Sequence, residues 1–133
     1  MAKECYNVFD EMYKRKNFTW SDGVKKGKII TISGTVATDE NHRTIHKGDL
    51  DAQMRYIYES VKQLLEKMGA SMDDVIKTTD YITPQAVSEY GRTGAIRKEY
   101  FKEGSYPAAT GVVVHSLLRP DWLIEIEFWA VVD

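Results

Sequence analysis

The sequence predicts an α+β fold whose elements run β-β-α-β-α-β-β, and three features predict it. Runs rich in Val, Ile and Thr, at Lys28–Val36 and Val75–Ile82, favour extended, half-buried strands. Between them the period changes: Leu50, Met54, Ile57, Val61, Leu64, Leu65 and Met68 recur at steps of three and four, which is one apolar helical face. From Trp122 to Val132 the apolar residues alternate with a second, mixed set, the period of a strand lying on a core.

Each element has local causes. Asp22-Gly23-Val-Lys-Lys-Gly27 is turn-like and predicts a hairpin feeding the Lys28–Val36 strand, with Ser33-Gly34 near that strand's end. Asp49 is placed to cap the first long helix and Gly69 to end it. After the Val75–Ile82 strand, Thr83-Pro84 supplies an N-cap and a proline at the first helical position. A second helix is expected to run to about Phe101, although Gly91 and Gly94 each cost about 1 kcal/mol relative to Ala within it unless they admit a close neighbour. The last two strands, about Ala108–Ser116 and Trp122–Val132, are joined through Leu117-Leu-Arg-Pro-Asp121, where Pro120-Asp121 makes the turn.

A chain of 133 residues with 43% hydrophobic content fits one domain over 1–133, without repeat or linker, that buries roughly 65–70% of its unfolded surface. Neither metal nor disulfide is needed to hold such a core. Lys plus Arg number 18 against 20 for Asp plus Glu, so no basic footprint points to nucleic acid or to an anionic membrane. Cys5 is the single cysteine, which fits a reducing, cytoplasmic setting. The polar start Met-Ala-Lys-Glu-Cys lacks a signal-peptide apolar stretch, and no apolar run reaches the roughly 18 residues of a membrane span. His42 and His46 lie four apart without helical register or acidic company, so no metal is expected. Gly104 and Gly111 form no phosphate-binding loop, and no cofactor is expected.

In the last strand Trp122, Ile124, Ile126, Phe128, Ala130 and Val132 share one face, and Leu123, Glu125, Glu127, Trp129 and Val131 share the other. The first face is core. The second mixes two carboxylates with large apolar groups, which suits a subunit interface holding a polar pocket, or an ordinary half-exposed sheet.

Five stretches now stand together: Ile32-Ser33-Gly34, Gly48-Asp49 with Gln53, Asp74 through Thr79, Tyr106-Pro107-Ala108, and Ile124 through Glu127. In order and spacing the chain resembles the RidA/YjgF family over nearly its whole length. The resemblance implies a chorismate-mutase-like fold, with a mixed sheet and two helices on one face. It also implies a homotrimer around a central barrel, with small-molecule clefts at the subunit boundaries. Well-known members hydrolyse enamines and imines formed by pyridoxal-phosphate enzymes, holding the substrate carboxylate with an Arg just after the Pro-Ala step. That position is Ala109 here, so the bidentate guanidinium fork is absent. A family Asn on the second helix corresponds to Gly94 and a pocket-closing Tyr to Trp20, while Ser33, Gly34 and Glu125 match the family.

The resemblance makes Glu125 the candidate acid/base that orders and deprotonates a water. Ser33 offers a hydroxyl, Gly34 lets backbone approach a ligand, and Trp20 offers a stacking face, although each is also an ordinary structural residue type. His115, expected on the strand after Ala109 and on the same face, is a candidate donor near the pocket. Arg119 is the nearest cation to the final strand and a candidate substitute for the missing anchor. Three functions follow. The leading one is a deaminase-like hydrolase, or a lyase, acting on an enamine, imine or amine-derived metabolite other than 2-iminopropanoate. A non-catalytic trimer that binds a small ligand is the second. Ribonuclease action, after the endoribonuclease L-PSP label of some relatives, is the third, and the balanced charge argues against it.

Overall fold

A computed structural model describes residues Met1–Asp133. Its strands are β1 (Glu4–Tyr6), β2 (Gly23–Lys26), β3 (Ile29–Thr35), β4 (Val75–Ile82), β5 (Ala108–Val113) and β6 (Ile124–Val131). Its α-helices are α1 (Asp10–Lys16), α2 (Leu50–Lys67), α3 (Val87–Tyr90) and α4 (Gly94–Tyr100). The strands form one mixed sheet in the order β1-β2-β3-β6-β4-β5. Only β4 and β5 run parallel, with α3 and α4 in the crossover between them.

The α2 helix forms for the reasons its sequence gives. The Asp49 carboxylate accepts the N–H of Ala52 at 3.0 Å, and Leu50, Met54, Ile57, Val61, Leu64 and Leu65 are all buried. Each such side chain contributes on the order of 1.5–3 kcal/mol when fully buried. At the far end Gly69 adopts φ +75°. The N–H of Ala70 then donates to Leu65 and that of Gly69 to Glu66, the paired bonds of a Schellman ending. The opposing floor is β6, where Ile124, Ile126, Phe128 and Ala130 are fully buried, joined by Ile30 and Ile32 of β3. Trp122, Ile124, Ile126, Phe128 and Ala130 therefore form the inner face expected of that strand, with Val132 partly buried beside them.

The structure differs from expectation in four places. First, β1 and α1 precede the expected elements. They leave little trace in the sequence because β1 is three exposed or half-buried residues at the sheet edge and α1 buries only Met12. Second, the helix expected from Pro84 to Phe101 is broken into 3₁₀ turns at Pro84–Ala86 and Gly91–Thr93 alternating with α3 and α4. The glycines mark that break and not a close approach: a Cβ at Gly91 would meet nothing within 4 Å, and at Gly94 only the Arg97 guanidinium at 3.9 Å. Third, Thr83 does not cap with its side chain, because its hydroxyl donates to the Leu123 carbonyl. Fourth, β5 ends at Val113 and not Ser116. It is an edge strand whose sole partner, β4, stops at Ile82, and after Val114 donates to Ile82 no ladder is left to hold the chain extended.

Candidate functional site

A bulge builds the site. Across the β3–β6 pair, Ile32 faces Phe128 and Thr35 faces Ile126, so three steps on β3 match two on β6. One residue is extra at Ser33-Gly34, which bends the strand and redirects its side chains. Ser33 is held there by its own N–H to the Asp22 carbonyl at 2.8 Å and by its hydroxyl to the Ser21 carbonyl at 2.6 Å. Gly34 is required at the next position. A Cβ there would lie 2.2 Å from Oε2 and 2.8 Å from Cδ of Glu125, so the Glu125 carboxylate rests directly against the Gly34 backbone.

Beside the bulge lies a hollow of about 310 Å³ lined by Trp20, Ser33, Gly34, Glu125, His42 and Trp122 among others. Four of the residues singled out from the sequence, Trp20, Ser33, Gly34 and Glu125, are thus brought together from β3, β6 and the segment before β2. Burial raises the Glu125 pKa above the ordinary carboxylate range, and the neighbouring Glu127 charge adds to the effect. Glu127 itself accepts the Tyr81 hydroxyl at 2.7 Å. Asp22, also on the wall, is committed to structure: its carboxylate takes the Tyr13 hydroxyl on one oxygen and the Val8 N–H at 2.9 Å on the other.

Aromatic rings make much of the remaining wall. Trp20 stacks on Phe18 with centroids 4.3 Å apart at 18°, and it remains 49% exposed. Phe18 meets His42 edge-on, and His42 in turn meets Trp122. His42 sits in a tight turn at φ +61°, a conformation in which His is among the enriched non-glycine residues. Its pKa is lowered by burial first and then by Arg119 and Lys16, which keeps the imidazole neutral at neutral pH. The Trp122 wall is fixed from below by Gln53, fully buried, which donates to the His46 and Asp121 carbonyls and accepts the Leu123 N–H.

The other expected residues lie elsewhere. Ala109 and Gly94 line a separate hollow of about 270 Å³ with Thr78, Arg97, Tyr106 and Pro107. In a single chain this hollow does not join the one at Glu125. His115 is corrected: it falls in an exposed bend beyond the end of β5 and not on the strand. Arg119 does belong to a loop that reaches the first hollow, through Leu118. Its guanidinium donates to the His42 carbonyl at 2.7 Å and lies over the Trp122 ring at 5.1 Å, so it braces the wall. Sequence reasoning missed Tyr13, Asp22, His42 and Trp122 as wall residues. Asp22 and His42 lie in turns, whose residues converge only through tertiary folding.

The comparisons with known proteins agree with this geometry. The family model described as Endoribonuclease L-PSP matches residues 14–132. A RutC family protein of Pyrococcus abyssi is 35% identical over 96% of this chain and 95% of its own. The 3-aminoacrylate deaminase RutC of Acinetobacter baylyi is 37% identical over 77% of this chain and 78% of its own. Among solved structures, a conserved Rid-family protein of Yersinia pestis superposes with TM-score 0.82 at 25% identity, covering 98% of this chain and all of that one. RidA of an Antarctic Psychrobacter gives TM-score 0.76 at 28% identity, over 86% of this chain and 89% of that one. With the family model matching residues 14–132 and a relative 35% identical over 96% of the chain, the chain belongs to the RidA/YjgF family, the endoribonuclease L-PSP group.

Proposed function

We propose that the protein hydrolyses a carbon–nitrogen double bond in a small metabolite, with Glu125 as general base. The observation that carries this reading is the state of Glu125: a carboxylate drawn out of water beside a bulge, with neither a hydrogen-bond donor nor a cation bound to it and its pKa raised. Such a group is a stronger base than an ordinary carboxylate. In the proposed step Glu125 removes a proton from water as the oxygen bonds to the C=N carbon and passes that proton to the nitrogen, which gives a carbinolamine. Transfer of the hydroxyl proton then releases the amine or ammonia and leaves a carbonyl. The Ser33 hydroxyl and the backbone at Gly34 border the reacting atoms, and Trp20 supplies a face for a flat substrate.

Family membership supports deaminase-type chemistry on small molecules, and the Acinetobacter baylyi relative is named for an enamine carboxylate. Ala109 sets this chain apart, because its methyl offers a substrate carboxylate no hydrogen bond. The 2-iminopropanoate activity is therefore expected to be weak. RNA fits the hollow poorly, since neither Lys nor Arg lines it. The exposed face of the sheet, with Trp129 and Val131 on β6 and Val112 on β5, supports assembly into a trimer that would bring the Ala109 hollow of one copy to the Glu125 hollow of the next.

A coupled imine-hydrolysis assay with sedimentation equilibrium tests the reading. The expected rate on 2-iminopropanoate is about one to two powers of ten below that of an Arg-bearing relative, the worth of one charge-assisted fork. Ala109→Arg should recover part of it and Glu125→Gln should abolish it, both in a particle three times the 15.3 kDa chain. Full activity surviving Glu125→Gln would remove the proposed base, and a stable monomer would remove the proposed cleft.

A further inference from the structure

The charges around the Glu125 hollow select among possible substrates. Asp22 and Glu125 are the only acidic side chains on its wall, and neither Lys nor Arg lines it. Asp22 is occupied by Tyr13 and Val8, and His42 is held neutral. Arg119, the nearest guanidinium, is bound to a backbone carbonyl and to the Trp122 ring. Arg97, at the Ala109 hollow, is already paired with Asp80 at 3.5 Å and lies over Tyr90 at 5.6 Å. Lys98 lies at the Ala109 hollow as well, so on the wall of the Glu125 hollow itself what remains is one carboxylate without a cation, beside the rings of Trp20 and Trp122.

A buried carboxylate is stabilised by a donor that also carries positive charge, and electron-rich ring faces attract flat cations. Both features favour the same ligand. We infer that the Trp20–Glu125 hollow selects flat aromatic ligands bearing positive charge on a trigonal nitrogen, such as an aryl iminium or amidinium, and discriminates against carboxylates. This rests on the C=N reading above and names its substrate class. Protonation of the substrate nitrogen also makes the adjacent carbon more electrophilic, so recognition and reactivity favour one species.

Benzamidine, cationic at neutral pH, serves as a stable probe of the protonated C=N group. Benzamide is its neutral counterpart and benzoate its anionic one. Calorimetric titration of the whole protein should give benzamidine a Kd at least about tenfold below that of benzoate, the scale of one charge-assisted contact. Glu125→Gln should bring benzamidine down to the level of benzamide, and Trp20→Leu should weaken benzamidine and benzamide together. Benzoate binding as tightly as benzamidine in the unmodified protein overturns the inference, and if Arg97→Gln removes that binding the recognition belongs to the Ala109 hollow. A benzamidine preference that survives Glu125→Gln overturns it as well. The two readings fail separately. A cation preference without turnover of any imine sinks the hydrolase and leaves this inference standing, whereas Glu125-dependent turnover in a protein that prefers benzoate does the reverse.

Discussion

Asp80 and Glu125 occupy adjacent rungs of the β4–β6 ladder, where Asp80 faces Ile126 and Tyr81 faces Glu125, yet they meet opposite fates. Alternation sends Asp80 to the helix side, where it is 3% exposed, and Glu125 to the other. Burial raises the pKa of both. For Asp80 the effect is opposed by the Tyr90 hydroxyl at 2.6 Å and by Arg97. For Glu125 nothing opposes it, and Glu127 reinforces it. On the proposed reading, the carboxylate with partners is part of the architecture, whereas the one without them, at the edge of a hollow, is held ready for a ligand. The comparison teaches that burial raises the pKa of both acids, and that what separates them is the hydroxyl and guanidinium on Asp80 Oδ2, since its Oδ1 is itself buried without a partner.

The sharpest break of this comparison is at Asp80. Asp80→Ala leaves the Arg97 guanidinium and the Tyr90 hydroxyl without their acceptor, and should destabilise the fold by about 3 kcal/mol, the scale for removing one partner of a buried pair. Urea unfolding would measure it. Activity per folded molecule should be unchanged, and an activity loss with intact stability would mean that the two carboxylates do not divide their roles in this way.

Gly34→Ala acts on the other member without touching its charge. The added methyl must displace the Glu125 carboxylate, whose Oε2 and Cδ lie inside contact distance of it. Because a carboxylate end can swing away, the stability cost should stay near the low end of overpacking, about 1 kcal/mol. Turnover should fall by about a hundredfold, as for loss of a general base. Measured rates equal to wild type would show that Glu125 works from another position.

The smallest expected effect is the pH dependence of stability in Glu125→Gln. The folded pKa of Glu125 lies above its ordinary value, so the folded chain binds a proton more readily than the unfolded one, and stability falls as pH rises through that window. Glu125→Gln removes this penalty. Thermal unfolding should place the variant slightly above wild type at pH 7, with the gap closing as pH drops below the unfolded value. A gap that widens toward acid would assign Glu125 a stabilising partner.

How much of this was legible follows from range. The α2 face, its Asp49 cap and its Gly69 ending repeat over a few residues, and the two faces of β6 are fixed by a period of two, so sequence carries them. The segmented helix at 84–100 and the early end of β5 escaped because each depends on a distant strand: Thr83 turns to Leu123, and β5 can run only as far as β4. His115 was misplaced for that reason.

By itself the sequence determined the order of the elements from β2 onward, the inner core and, through its resemblance, the pairing of Ser33-Gly34 with Glu125 in one family pattern. Only the tertiary structure decided which polar groups are left unpaired. It joined Arg119 to His42 and Trp122, Arg97 to Asp80, and Asp22 to Tyr13 and Val8, and it gave Glu125 no partner. The physical reason is that a periodic pattern dictates which way a side chain points, whereas the free charge of a site is what remains after contacts between residues tens of positions apart have been made.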